Sequence, residues 1–472
     1  MEKYDLVIKG GLVIDPASDF EDVYNIGVRE GKITTLTLNK IEGEKEIDAS
    51  GLVISPGFID VHSHVDGTNR AGEYSALMGV TTLIGGNCGT SHAVEGSDVG
   101  AFLERIDKDG FPTNHGFLIG ASNLRETLGV DRYDPMEDEK IPRMVELVEE
   151  AISQGALGIS FGLAYSPGTT EKELTALFRT AARHDVIVAV HPRYMGRGLP
   201  GFTLGAVAGE EELIEVAKNT GTRLQISHLG SQLGWKSRPY DAILTKGLET
   251  IESAREAGVD VTCDCHPYDA WCTAAGAAVL DHFQNPFLKE KFEKYQGVGI
   301  SDIEVTSGPH KGKWLNEELF KQVRQEDPMT RVVGHMMQED LVVRTLMNPY
   351  VMVASDCVYD DEGFPTHPRG VGTFARVLRR LVKERGVLTF KEALYKMTVQ
   401  PAIRFGLDQK GRIAVGADAD FTIFDFDTIE DLATYPEPDQ ENKGIIYVIV
   451  DGVPVVAKGK LKEVTPGRAL RH

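Results

Sequence analysis

Cysteine is scarce in this chain. Its 472 residues hold five cysteines, an odd number scattered along a long sequence, so no disulfide framework is encoded. No apolar run is long enough to span a bilayer, and the first residues, Met1-Glu-Lys-Tyr-Asp5, lack the apolar core of a signal peptide. Positive charge is also short: 50 lysines and arginines face 71 aspartates and glutamates, a formal charge of −21. That balance argues against nucleic acid or an anionic membrane as a partner. No internal repeat or low-complexity stretch is present. The expectation is a reduced, cytoplasmic enzyme with a small-molecule substrate. Whether copies associate into a homo-oligomer is left open by the sequence.

What is there begins with strands at both ends. Tyr4–Lys9 precedes Gly10-Gly11, followed by Leu12–Ile14, Tyr24–Val28 and Lys32–Leu38, with Glu30-Gly31 as a hairpin signal. The far end repeats this character in Ala419–Asp425 and Gly444–Val450, then Asp451-Gly452 and Val453–Ala457. Neither end alone carries much core. The two are therefore expected to build one small β-sandwich domain from residues 1–55 and 405–472.

Between these ends, strand-like and helix-like segments alternate. Apolar runs fall at Phe58–Val61, Val80–Ile84, Gly116–Ile119, Ala156–Phe161, Val186–Val190, Leu224–Ser227, Val259–Cys263 and Val351–Ala354. Helical spacing falls at Arg143–Ser153, Glu171–Arg183, Glu210–Asn219, Asp241–Glu256 and Val371–Lys383. Eight such strands fit a (β/α)8 TIM-like barrel over residues 56–404, its strands buried on both faces. An open doubly wound sheet is the alternative, but no Gly-x-Gly-x-x-Gly follows the first strand. Asp281–Met337 interrupts the alternation and is expected to be an insertion, about residues 281–337, on the catalytic face.

Barrel enzymes carry their chemistry where strands end. The first run closes on His62 and His64, one residue apart, so that an extended backbone turns both imidazoles to one side. The second run leads to Cys88 in a glycine-rich turn, the fifth to His191, the sixth to His228 and the eighth to Asp356. Taken singly, Cys88 reads as a small buried hydrophobe, His191 and His228 as core imidazoles, and Asp356 as a helix cap. Six such residues, each at a strand end, read together as a metal site. Cys263-x-Cys265 has ligand-like spacing, but Asp260–His266 reads as a strand end, and packing is favoured. His335 also closes a short apolar run and is a candidate neighbour of the site, whereas His92, His115, His184, His282, His310 and His472 have no supporting context. Ser-His-Asp catalysis, the competing chemistry, is not expected, on a reading that finds no Gly-x-Ser-x-Gly.

This set of residues resembles the amidohydrolase superfamily and, within it, the N-acyl-D-amino-acid deacylases (D-aminoacylases). The resemblance runs from Asp5-Leu-Val-Ile-Lys-Gly-Gly-Leu-Val-Ile-Asp15 through Pro56-Gly-Phe-Ile-Asp-Val-His-Ser-His64 and Gly155-Ala-Leu-Gly-Ile-Ser-Phe-Gly-Leu-Ala-Tyr165. It continues in Ile226-Ser-His228, Ser355-Asp356 and His367-Pro-Arg369, and closes with Gly411-Arg-Ile-Ala-Val-Gly-Ala-Asp-Ala-Asp420. Many relatives bridge two metals with a carboxylated lysine on the fourth strand. Here that strand has no lysine, and Cys88 matches the cysteine that D-aminoacylases use instead. The resemblance implies one tightly bound Zn²⁺ held by Cys88, His191 and His228, beside a weaker second site of His62, His64 and Asp356. It also implies that Arg369, with Tyr268 and Thr273 after the seventh strand, holds the substrate carboxylate, as a guanidinium can do bidentately. The chain departs from the pattern after the sixth-strand histidine, where His228-Leu-Gly-Ser replaces a usual His-Lys, and at His266 and His335.

The reading that follows is zinc-dependent hydrolysis of the amide of an N-acyl-D-amino acid. Zinc would polarise the carbonyl, Asp356 would shuttle the proton, and His62 or His64 would steady the oxyanion with the second site empty. Cyclic-amide hydrolysis of the hydantoinase or dihydroorotase kind, a dipeptidase activity, and a non-catalytic metal-binding scaffold are the alternatives.

Overall fold

A computed structural model of the chain describes residues 3–91, 94–193, 205–236 and 240–472. The eight apolar runs form one parallel sheet, in the order of the chain from Phe58–Asp60 through Val80–Gly85, Asn114–Gly120, Gly158–Gly162, Ile187–His191, Arg223–Ile226 and Val261–Cys265 to Val351–Val353. These strands are buried almost throughout, as parallel strands flanked by helices must be. Ile59, Ile84, Leu118, Leu157, Ile187, Ala189 and Met352 meet in one interior cluster, with Ala402 and Phe405 of the helix Val399–Phe405 against it. The barrel closes just past the ends of its outer strands. Asp356 N donates to His62 O at 2.8 Å and His64 N to Cys357 O at 3.1 Å, while Asp60 Oδ1 accepts from Ser355 N at 3.0 Å. That seam carries three of the expected site residues.

Helices follow where the spacing puts them. Glu171–Arg183 starts on a capping box of Thr170 and Glu173 and buries Leu174, Leu177, Phe178 and Ala181, one stripe at helical period. The helix expected over Val371–Lys383 begins at Arg369 and changes after Arg376 into a π-helical stretch, Val377–Glu384. Asn69–Leu77 and Val99–Asp109 are helices that the sequence reading did not single out.

The two ends of the chain meet in a nine-stranded mixed sheet. Val53–Pro56 pairs antiparallel with Phe421–Phe424, which is the join between the termini. Tyr4–Asp15 is a single strand rather than two, because Gly10-Gly11 makes a bulge against Phe20–Arg29 and Gly10, at φ 68°, supplies the left-handed residue. This sheet has a core of its own, which includes Ile8, Val28, Ile54, Phe421 and Ile449. A further three-stranded sheet, Trp271–Ala274, Ile303–Val305 and Arg331–Gly334, lies between the seventh and eighth barrel strands. No helix among the described residues is long and apolar enough to cross a membrane.

Asp420 ties the terminal sheet to the barrel. Its carboxylate accepts from Asn114 Nδ2 of the third barrel strand at 3.0 Å, from Lys410 Nζ at 2.6 Å and from Asp451 N at 2.7 Å. Lys410 and Asp420 are both buried, and Asp418 gives the lysine only one other carboxylate, at 3.0 Å. Asp420→Ala is expected to cost about 3 kcal/mol, the scale for stranding one partner of a buried pair. A lower denaturation midpoint with unchanged zinc content is the expected result; an unchanged midpoint would deny the tie.

Candidate active site

Three other strand ends bring imidazoles to Cys88. Its Sγ lies 3.3 Å from His62 Nε2, 3.5 Å from His228 Nε2 and 3.8 Å from His191 Nδ1. Donors bound to a tetrahedral zinc at ~2.0–2.3 Å stand roughly 3.3–3.6 Å apart, so the spacing around the thiol fits that ion. His62 Nε2 and His64 Nε2 approach one oxygen of Asp356, at 3.4 and 3.3 Å. Two sets of donor atoms are mutually close, all within 4.8 Å: His62, Cys88 and His228, and His62, His64 and Asp356. His62 is therefore common to both, where the sequence reading gave it to the weaker site alone. His191 stands at the edge of the first set, its ring 4.3 Å from that of His228 and its Nε2 buried without a hydrogen-bond partner among the described residues. The residues fit a binuclear metal centre.

The backbone pays a conformational cost to aim these groups. Cys88, His228 and Asp356 all adopt left-handed backbone conformations, with φ of 54°, 36° and 49°. Such values are uncommon outside glycine and cluster where function demands them. Gly162, at the end of the fourth strand, is forced by this turn: a Cβ there would lie 2.1 Å from Cys88 O.

Charge explains how the cluster holds together. Burial pushes the Cys88 thiol up, but the imidazoles of His62, His228 and His191 outweigh it and hold the thiol well below its usual value. Burial likewise opposes ionisation of Asp356, yet Arg369, His62 and His64 hold its carboxyl well below the usual carboxylate range. Arg369 is fully buried, with Nη1 3.0 Å from Asp356 Oδ2. Among the described residues, none of its three guanidinium nitrogens has an aligned hydrogen-bond acceptor.

Sequence reasoning missed the carboxylate behind the metal cluster. Asp264, in the middle of the seventh strand, accepts from Gln225 Nε2 at 2.9 Å and from His228 N at 2.7 Å, and lies 3.1 Å from His62 Nδ1. It fixes the tautomer that leaves His62 Nε2 free for a metal. The side-chain amide of Gln232 lies against the second imidazole, its Nε2 3.1 Å from His228 Nδ1. The signal for Asp264 was a lone charge inside an apolar strand, between two cysteines that the structure buries in the core. The competing serine chemistry also needs a correction, because Gly158-Ile-Ser-Phe-Gly162 does satisfy the Gly-x-Ser-x-Gly pattern. Ser160 nevertheless lies within the strand, its hydroxyl bonded to Gly86 O and Gly89 N, and is no nucleophile.

A chamber opens beside the cluster. It runs from His191, His228 and Asp356 past Tyr165 and Thr273 and is partly open to solvent. His282, set aside in the sequence, lines it; His335 does not, and sits instead against Trp314 and Tyr435 with Nε2 3.3 Å from Glu304. Tyr268 lies behind the chamber, edge-on to His367 and beneath Arg376. His115 is a core histidine among Phe102, Phe111 and Phe117, its pKa pushed down to about 3 by burial. His92 lies outside the described residues.

A parallel barrel with two metal clusters at its strand ends is the layout of a metal-dependent hydrolase. Comparison with known proteins narrows the class. The chain matches the profile of the Amidohydrolase family over residues 45–456. It is 31% identical to the N-acyl-D-glutamate deacylase of Alcaligenes xylosoxydans xylosoxydans, over 100% of this chain and 97% of that one. A D-aminoacylase solved in a study of its binuclear metal centre superposes with a TM-score of 0.86, at 27% identity, over 99% of this chain and 100% of that one. The N-acyl-D-glutamate deacylase of Bordetella bronchiseptica, solved with zinc and a phosphonate mimic of the tetrahedral intermediate, gives 0.84 at 29% identity, over 100% of both chains. This chain belongs to the amidohydrolase family, in the group of the N-acyl-D-amino-acid deacylases, and is a metal-dependent enzyme that hydrolyses an amide bond.

Asp264→Asn tests the role of the buried carboxylate. Partners that orient a metal-bound histidine are worth ~10–100-fold in metal affinity. The variant should lose zinc to a chelator at a free-zinc level that many-fold exceeds that for the parent, with its circular dichroism unchanged. Equal retention would leave Asp264 a purely structural group.

Proposed function

We propose that the enzyme removes the acyl group from an N-acyl-D-amino acid, giving a carboxylate and the free D-amino acid. The observation that carries this reading is Arg369: a buried guanidinium with no aligned acceptor, beside the carboxylate expected to do the proton chemistry. A buried cation of this kind calls for an anion, and the free carboxylate of an acylated amino acid supplies one in bidentate geometry. Thr273 and Asp356 both line the chamber, Arg369 stands behind Asp356 at 3.0 Å, and Tyr268 lies edge-on to His367.

Cys88, His62 and His228, with His191, would hold the tight zinc, and His62, His64 and Asp356 the weaker site. Bound zinc supplies a Lewis acid for the amide carbonyl and brings the pKa of water towards ~7. Asp356, kept ionised by Arg369 and the two histidines, accepts the proton of the attacking water at its carboxylate. As the new C–O bond forms and the C–N bond breaks, it returns that proton to the leaving amine nitrogen. With the second site empty, His64 Nε2 is positioned to steady the developing oxyanion. The absence of a lysine from Gly158–Gly162 argues against the carboxylated-lysine centre of cyclic-amide hydrolases. The five cysteines are all buried and unpaired, which suits a reducing compartment such as the cytoplasm.

Asp356→Asn should keep the tight zinc and lose at least ~10²-fold in kcat, the scale for a missing general base. Near-normal turnover by a zinc-loaded variant would contradict the proton role.

Arg369→Met should slow all substrates through its effect on Asp356. It should also erase most of the preference for a free carboxylate over the matching amide, by at least ~10² in the ratio of kcat/KM. Steady-state kinetics on paired acid and amide substrates provides the check. An unchanged ratio would remove Arg369 from substrate binding and with it the main support for the acyl-amino-acid reading.

A further inference from the structure

The chamber beside the metal cluster has a second character beyond its catalytic end. Away from His191 and Asp356 its walls are Trp235, Trp271, Leu280, Phe283, Phe292 and Met336, all buried. The rings are braced. Trp235 Nε1 donates to Ser231 O at 2.9 Å, and Trp235 and Phe283 each meet Phe292 edge to face, at 5.7 and 5.3 Å between centroids. Trp271 lies so close to Gly334 that a Cβ there would fall 2.1 Å from its ring. Among the described residues no lysine or arginine lines the space. Lys236, next to Trp235, donates instead to His335 O at 2.7 Å, and Arg324, in the same region of the chain, is taken by Asp281 at 2.7 Å.

We propose that this chamber takes the side chain of the D-amino acid and selects for uncharged, apolar groups, aromatic or long aliphatic, against glutamate and aspartate. The proposal rests on the reading above that the substrate is an N-acyl-D-amino acid. It separates this chain from what its 31% identity to an N-acyl-D-glutamate deacylase would suggest. A second carboxylate pushed between these rings would be desolvated with no described lysine or arginine to meet it and only the His282 imidazole, packed on Phe283 and Phe292 with Nδ1 3.0 Å from Val279 O, beside it; burial penalises that heavily. The side chain, rather than the acyl group, is assigned because Thr273, which the proposed reading sets at the substrate carboxylate, is continuous along one strand with Cys272 and Trp271 in the chamber wall. A group on the carbon that bears the carboxylate enters there first.

The zinc-loaded, full-length enzyme is assayed on N-acetyl derivatives of D-phenylalanine, D-leucine, D-methionine, D-glutamate and D-aspartate. The apolar members should exceed the acidic ones in kcat/KM by at least ~10²-fold. With alanine as the amino acid, lengthening the acyl group from acetyl to hexanoyl should change kcat/KM by less than ~10-fold. Equal or greater turnover of the acidic derivatives overturns the proposal and leaves the N-acyl-D-amino-acid reading standing. A gain that follows acyl length instead of side chain overturns the assignment of the chamber. Hydrolysis of no member removes both readings. Leu280→Arg, checked for folding by circular dichroism and zinc content, should improve the glutamate-to-leucine ratio of kcat/KM at least ~10-fold; an unchanged ratio in the folded variant counts against the chamber as the side-chain site.

Discussion

The hydrogen bond from Asp356 N to His62 O, 2.8 Å long, closes the barrel where its first and eighth strands meet. It is also the bond that sets the metal ligands of one strand against the proton carrier of the other. A barrel must bring its outer strands together for its core to be buried. Here closure and site assembly are the same event, because His62, His64 and Asp356 all lie within two residues of the bond. Asp60 and Ser355 repeat the contact one layer below. Closure of the core thus sets the catalytic geometry in the turns that follow the strands.

Around that seam the buried charges do not balance by themselves. Cys88, Asp356 and Asp264 meet in a space where, among the described residues, Arg369 is the permanent cation set against them, and it has no aligned acceptor among those residues. Protonated imidazoles can supply positive charge: burial opposes it at His64, but Asp356 and Cys88 outweigh burial and raise its pKa to about 9. A divalent ion does the same job more completely, because it neutralises the thiolate and leaves the imidazoles neutral as ligands. The donor set therefore asks for a metal on electrostatic grounds as well as geometric ones. The residual positive charge at Arg369 is then available to a substrate carboxylate.

Much of this was legible in the sequence, for identifiable reasons. Barrel strands are continuous apolar runs, and the residue after each run is fixed by the fold, so His62, Cys88, His191, His228 and Asp356 could be read off strand ends. Gly43–Asp48 was not legible, because a strand of alternating charges at a sheet margin carries no apolar pattern. The sharing of His62 between two clusters depends on how far the first strand tilts towards Cys88, which spacing does not encode. Asp264 was hidden by its flanking cysteines, which drew attention to the wrong chemistry. The chamber was hidden more deeply. Trp235, Trp271, Phe292 and Met336 come from four separate segments, and only the three-stranded excursion after the seventh strand brings them together.

The central claim is that a thiolate, Cys88, anchors the metal where many relatives use a carboxylated lysine. Optical spectroscopy of the cobalt-substituted protein tests it most directly, since a cysteine thiolate bound to Co²⁺ gives an intense near-ultraviolet charge-transfer band that oxygen and nitrogen ligands do not. The account predicts that band in the parent protein, its loss in Cys88→Ser, and its survival in Cys263→Ser. A cobalt-loaded parent without the band, or a band that outlasts Cys88→Ser, would contradict it.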